Sequence, residues 1–112
     1  MRYPELVPDW VCTTPISLVI EGEGLDEDGA PSIAFEGELL CNWQDGGEVV
    51  FTEREKVIDI SGRAYFNGDV IPNVSNIVAG SATIFGQLRE IRRGFKRRNP
   101  DGTVNYTEIQ FK

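Results

Sequence analysis

Glu36 and Glu38 stand two residues apart, the spacing that puts both carboxylates on one face of a strand. Such a pair is the equipment of glycoside hydrolysis, where one acid protonates the leaving group and the other attacks or activates water. With 18 acidic residues in a 112-residue chain, pairs arise without selection for chemistry, and so small a protein offers no deep cleft. A solvated strand face is the expected reading. Asp26-Glu27-Asp28-Gly29 has the charge of a calcium loop but lacks the alternating carboxylates and closing glutamate of an EF-hand, and reads as a hairpin tip. Gly22-Glu23-Gly24 is acidic and opens no helix, so it is no phosphate cradle. The chain has no histidine, which removes the commonest general base and metal ligand and every Ser-His or Cys-His arrangement. Cys12 and Cys41 with carboxylates make a poor zinc set and are read as free, reduced core residues. No catalysis, cofactor or metal is expected.

The cations are more telling. Arg89, Arg92, Arg93, Lys96, Arg97 and Arg98 crowd one short segment of a chain whose net charge is −7. Residues 1–59 carry 14 Asp/Glu against three Lys/Arg, a charge of −11; residues 60–112 carry four against eight, a charge of +4. Such asymmetry fits a basic binding face, or two faces that attract each other between copies, or two solvated surfaces with no further role. Nucleic-acid binding as the sole task normally comes with a basic domain and more stacking aromatics, so an acidic protein face suits the balance better.

These residues must be positioned by strands. One domain is the limit for this length, and it buries roughly two-thirds of its extended surface without staples. Thr14-Pro15-Ile16-Ser17-Leu18-Val19-Ile20-Glu21 alternates, with Ile16, Leu18 and Ile20 inward. Residues 32–44 alternate again, placing Ile33, Phe35, Leu39, Cys41 and Trp43 on one side with a bulge or bend at Gly37. Asp45-Gly46-Gly47 reads as a tight turn into a return strand from Glu48, 52–56 as a loop or one helical turn, and 57–66 as a strand with Ile58, Ile60, Ala64 and Phe66 on one face and a bend at Gly62. Residues 81–85 form a short strand before a Gly86-Gln87 turn. Asn99-Pro100-Asp101-Gly102 is the composition of a type I turn with glycine in the left-handed position that follows. Closing that hairpin with Asn99 opposite Thr103 sets Arg97 against Asn105, Phe95 against Thr107, Arg93 against Ile109 and Ile91 against Phe111. Arg92, Lys96 and Arg98 then share the other face with Val104, Tyr106, Glu108 and Gln110.

The expected fold is therefore mainly β: a small antiparallel barrel or sandwich of six to seven short strands, in one domain spanning 1–112. An extended arm over 1–13 leads in, a long loop occupies 67–80, and a hairpin over 88–111 ends the chain. Leu6, Val7 and Trp10 on the arm need an apolar surface to cover, on this domain or on a partner. No apolar run approaches the ~20 residues of a membrane span, and the start lacks a signal-peptide core, so the chain is expected to be cytoplasmic when made, with no membrane partner. The candidate interface is Arg89, Arg92, Lys96, Arg98, Tyr106 and Glu108.

Two stretches carry a family likeness. Ser61-Gly62-Arg63-Ala64-Tyr65-Phe66-Asn67-Gly68-Asp69-Val70-Ile71-Pro72, followed by Lys96-Arg97-Arg98-Asn99-Pro100-Asp101-Gly102-Thr103-Val104-Asn105-Tyr106-Thr107-Glu108, resembles small head–tail connector proteins of tailed bacteriophages and prophages, also called minor capsid, head-completion or stopper proteins. The resemblance spans most of the chain and rests on turn chemistry. It implies a ring-forming virion subunit between portal or adaptor and tail, other neck proteins as partners, and packaged DNA nearby in the channel. It also implies a loop that closes the channel, here Gly68, Asp69, Val70, Ile71, Pro72 and Asn73. It carries over no catalytic residue. The rival expectation is a monomeric barrel module that grips nucleic acid or an acidic protein.

Overall fold

Period-two alternation yields six strands among the described residues: β1 (Thr14–Leu25), β2 (Pro31–Phe51), β3 (Val57–Asn67), β4 (Gly80–Ile84), β5 (Gln87–Arg98) and β6 (Val104–Phe111). The computed structural model describes residues 4–25, 27, 29, 31–51, 57–72, 74, 77 and 79–112, with backbone alone at 23–25, 31, 47–51 and 57–59. The strands close into an antiparallel barrel in the order β1-β2-β3-β6-β5-β4. Closure pairs every strand on both sides over the barrel proper and removes the free edges that invite aggregation. The expected acidic hairpin tip at 26–29 and the 52–56 connection fall largely or wholly outside the described residues.

The inward set is the one the alternation marks. Ile16, Leu18 and Ile20 of β1, Cys41 of β2, Ala64 and Phe66 of β3, and Ile109 and Phe111 of β6 are buried in one cluster. Each large apolar side chain removed from water contributes roughly 1.5–3 kcal/mol. Ile33 departs from the expected set: it is exposed, because the β1–β2 register shifts between Ile20 and Glu21, beyond the last core residue of β1.

Asp45-Gly46-Gly47 is not a turn. β2 runs straight through it, and the pairing with β3 jumps from Asp45↔Gly62 to Glu48↔Ile60, so one extra residue is extruded as a bulge. The glycines absorb that bulge while both halves of β2 keep the same partner. Gly37 marks no register shift, and Gly62 is dictated by packing: a Cβ there would sit 2.3 Å from the Trp43 ring. The β4–β5 turn is Phe85-Gly86, one residue earlier than expected, with both φ angles positive.

The 67–80 segment caps one end of the barrel. Its Ile71, Val74 and Ile77 join the core. Ile77 approaches so closely that a Cβ on Gly94 would lie 2.7 Å from its own Cβ, and the Gly94 N–H donates to the Ile77 carbonyl at 3.1 Å. At the far end of β6, Trp43 packs tilted against Phe111 at 5.6 Å, and the Arg89 guanidinium lies 5.0 Å above the Trp43 ring.

The arm folds back on its own barrel. The Leu6 N–H donates to Asn105 Oδ1 (3.0 Å), Asn105 Nδ2 donates to the Pro4 carbonyl (2.9 Å), and Asn42 Nδ2 to the Val11 carbonyl (3.0 Å). Val7 is buried, whereas Leu6 and Trp10 remain exposed, Trp10 at 80%. Polar hooks and the buried Val7 hold it in place. Cys12 and Cys41 are buried and unbridged, and burial, helped by the neighbouring Cys12, pushes the Cys41 thiol up to about 12.

Candidate interaction surfaces

The β5–β6 hairpin decides which cations face water. The expected turn forms: the Gly102 N–H donates to the Asn99 carbonyl, the Asn99 N–H to the Thr103 carbonyl, and Gly102 takes φ 89°. Ile91↔Phe111 holds at the other end. Between the two ends the register is offset by one residue. β5 carries an extra residue between Ile91 and Arg93, and β6 carries one between Tyr106 and Val104, so the two irregularities cancel. The middle pairs are Gly94↔Ile109, Phe95↔Glu108, Lys96↔Thr107 and Arg97↔Tyr106.

That offset overturns the expected stripe. Shifting a strand by one residue exchanges its faces. Lys96 turns inward, Arg93, Phe95 and Arg97 turn outward, and Arg92 sits at the bulge. The physical gain is clear: Gly94, not Arg93, meets Ile109, and the loop's Ile77 gains the space it needs.

The candidate residues therefore part company. Lys96 has a nearly buried side chain, and its Nζ lies 2.9 Å from Asp69 Oδ1, 3.0 Å from Asp69 Oδ2 and 3.0 Å from the Ile71 carbonyl. It clasps the loop to the barrel. Arg89 donates to Ser61 Oγ at 2.8 Å beside Trp43, and Arg98 donates to the Gly102 carbonyl at 2.7 Å, bracing the turn. Arg92 is half-buried, with an Nε that finds no acceptor among the described residues. In the loop, Thr107 Oγ1 donates to the Gly68 carbonyl and the Ile71 N–H to Asp69 Oδ1. Val70 is half-buried and Pro72 exposed, while Asn73 lies outside the described residues.

Tyr106 and Glu108 do lie on a shared outer surface, together with residues the alternation had sent elsewhere. Three cross-strand rows build it: Gln44–Arg63–Gln110–Arg93, Asn42–Tyr65–Glu108–Phe95 and Asn67–Tyr106–Arg97. Glu108 is only 6% exposed, covered by Arg97 (3.5 Å) and Arg63 (3.8 Å). Gln110 links it onward, donating to Glu108 Oε2 and accepting from Arg93 Nε, each at 2.6 Å. Arg93 and Arg97 lie 5.1 and 4.4 Å from the Phe95 ring centre. Tyr65 and Tyr106 meet tilted, with ring centres 6.1 Å apart, and burial, then the charge of Glu108, raises the Tyr65 hydroxyl above its ordinary value. Two arginines share one buried carboxylate and a third reaches it through Gln110, so the face is net cationic with aromatics among the charges. The signal available in the sequence was Arg93-Gly94-Phe95-Lys96-Arg97, where glycine sits at the one position that suits close packing.

Across the barrel the chemistry reverses. β1 stands opposite β6 and β2 opposite β5 in the strand order. An outward row there runs Glu38–Ser17–Thr83–Leu88, beside the pair Leu40–Pro15. Two hollows of about 540 and 290 Å³ share Pro15 and Glu38; the first reaches Leu40, Asp9 and, at the border with the cationic face, Asn67, whose Nδ2 donates to Asp9 Oδ1 at 3.0 Å, and the second reaches Thr83 and Phe85. The described residues lining them include no cation. Glu36 and Glu38 are both exposed on this side, and Glu38 lines both hollows.

Among the described residues, no group of three or more His, Cys, Asp or Glu is placed to hold a metal ion, and no helix is long and apolar enough to cross a membrane. Neither a scan against protein-family models nor a search of curated proteins found a match to this chain.

Proposed function

We propose that this chain is a structural component of a bacteriophage neck: a head–tail connector, of the head-completion or minor capsid type, that joins portal or adaptor to tail and helps retain packaged DNA. The supporting observation is the pair of opposite outer faces, one cationic and aromatic, the other acidic and apolar, on a barrel whose interior is filled. Opposite complementary faces meet head to tail, and such contacts close into rings when the rotation allows. A channel-facing role for the loop falls to the exposed Pro72, since Ile71, Val74 and Ile77 belong to the core, Val70 packs against it and Asp69 is held by Lys96. The protein works in the virion neck after assembly in the host cytoplasm, by docking and without turnover.

The test is deletion of the gene from its phage or prophage. The expected result is DNA-filled heads and separate tails that do not join, restored by supplying the protein. Normal yields of complete particles would contradict the proposal.

The stacked Arg93, Phe95 and Arg97 beside Tyr65 and Tyr106 favour one alternative, a monomeric module for single-stranded nucleic acid, because bases stack on such aromatics between cations. In that case Arg93→Ser with Arg97→Ser abolishes salt-sensitive oligonucleotide binding while the fold survives. Binding that is absent, or unchanged by the double substitution, removes this reading.

A further inference from the structure

Phe85 is the least comfortable residue among those described. Its φ of 49° is left-handed, a region a bulky side chain enters only under strain of order 1–3 kcal/mol, and its ring is 70% exposed. Asparagine or glycine would fit that turn position without strain. A strained aromatic with no packing role has no reason within the subunit. Its neighbours repeat the point: Leu88 is 75% exposed and Leu40 58%, so three of the six large exposed apolar residues among those described lie on or beside the acidic side. Leu40 lines one hollow, and Leu88 ends the row from Glu38.

We infer that this surface is the socket for a second copy's Arg93–Phe95–Arg97 strand face. The occupant follows from complementarity. The socket is apolar at Pro15, Leu40 and Phe85 and acidic at Asp9 and Glu38, without a cation among its described lining. The opposite side of the same chain presents an aromatic ring flanked by two guanidiniums, beside a third at Arg63. Phe95 meets the apolar floor and the arginines meet the acidic rim, so the contact is directional and salt-sensitive. One copy's socket takes the next copy's face, and each copy keeps one free surface at either end of a growing array.

This inference rests on the ring reading and assigns its contact residues. The test is sedimentation velocity over a concentration series at low and high salt. Wild-type protein is expected to associate at low salt and dissociate at high salt. Phe85→Asn is expected to keep or raise thermal stability, because it relieves the backbone strain, and to weaken association by about thirtyfold or more, the scale of a central anchor. Arg93→Glu is expected to do the same from the other face. An equimolar mixture of the two variants then forms dimers and nothing larger, because each variant retains the surface the other has lost. Association of Phe85→Asn as strong as wild type, a mixture that remains monomeric, or wild-type protein that stays monomeric at low salt each overturns the inference. If the gene deletion still leaves heads and tails unjoined, the neck function stands with a different contact.

Discussion

Lys96 and Arg97 are sequence neighbours in the same strand, yet one is spent on the fold and the other on the surface. The Lys96 ammonium reaches two carboxylate oxygens and a carbonyl, with its side chain only 7% exposed. Arg97 is nearly half exposed, shares Glu108 with Arg63 and lies over an aromatic ring. A buried ammonium is tolerable only when its donors are satisfied, so Lys96 is bound to Asp69 as firmly as Asp69 is bound to it. Surface guanidiniums in shared contacts contribute little to stability and remain free to exchange partners. The difference shows how one hairpin serves both fold and docking: two cancelling bulges sort its cations by side.

The largest effect should come from breaking the inner contact. Lys96→Met leaves the partly exposed Asp69 carboxylate without its cation and should cost about 2–3 kcal/mol in denaturant unfolding, while Lys96→Met with Asp69→Asn should recover part of that loss. A loss below 1 kcal/mol would mean that the clasp does not hold the loop. Next comes Gly94→Ala, whose new methyl meets Ile77 inside contact distance; a destabilisation of roughly 1–3 kcal/mol is expected, reduced when Ile77→Val is added. Arg97→Ser, by contrast, should change stability by about 1 kcal/mol or less. A cost matching that of Lys96→Met would erase the distinction between the two sides.

The last effect is absent at neutral pH and shows only under alkaline conditions. The Cys41 thiol has its ordinary value of 9.0 raised to about 12 in the fold, so the native state holds the proton longer than the unfolded chain. Stability is therefore full below pH 9 and falls as the pH climbs toward 12, because the unfolded state binds fewer protons. Replacing Cys41 by Val should flatten that alkaline decline in urea titrations. An unchanged slope would assign it to other groups, Tyr65 first among them.

Much of the barrel was legible in the sequence. Alternation marked Ile16, Leu18, Ile20, Cys41, Ala64, Phe66, Ile109 and Phe111 as the inward set, and Asn99-Pro100-Asp101-Gly102 named its own turn. The aperiodic 67–80 segment was marked as a loop with apolar residues of its own, though not as the cap of the barrel. What escaped the sequence were the bulges. A bulge adds one residue without changing local composition, so Gly46-Gly47 looked like a turn until β2 was seen to keep one partner on both sides. In the hairpin, two extra residues on opposite strands cancelled, leaving both ends in the expected register and the middle reversed. Tertiary packing of Ile77 against Gly94 decided that reversal, and strict alternation cannot encode a contact from a distant loop. The acidic, apolar socket escaped because it draws single residues from β1, β2, β4 and a turn.

Cross-strand proton contacts in the β5–β6 hairpin, read by NMR, test the sorting of cations most directly. Contacts of Gly94 with Ile109 and of Lys96 with Thr107 are expected, alongside a slowed, protected Lys96 side chain. Contacts of Arg93 with Ile109 and of Phe95 with Thr107 would contradict it, return the arginines to the interior side and leave the outer face without its cation–aromatic stack.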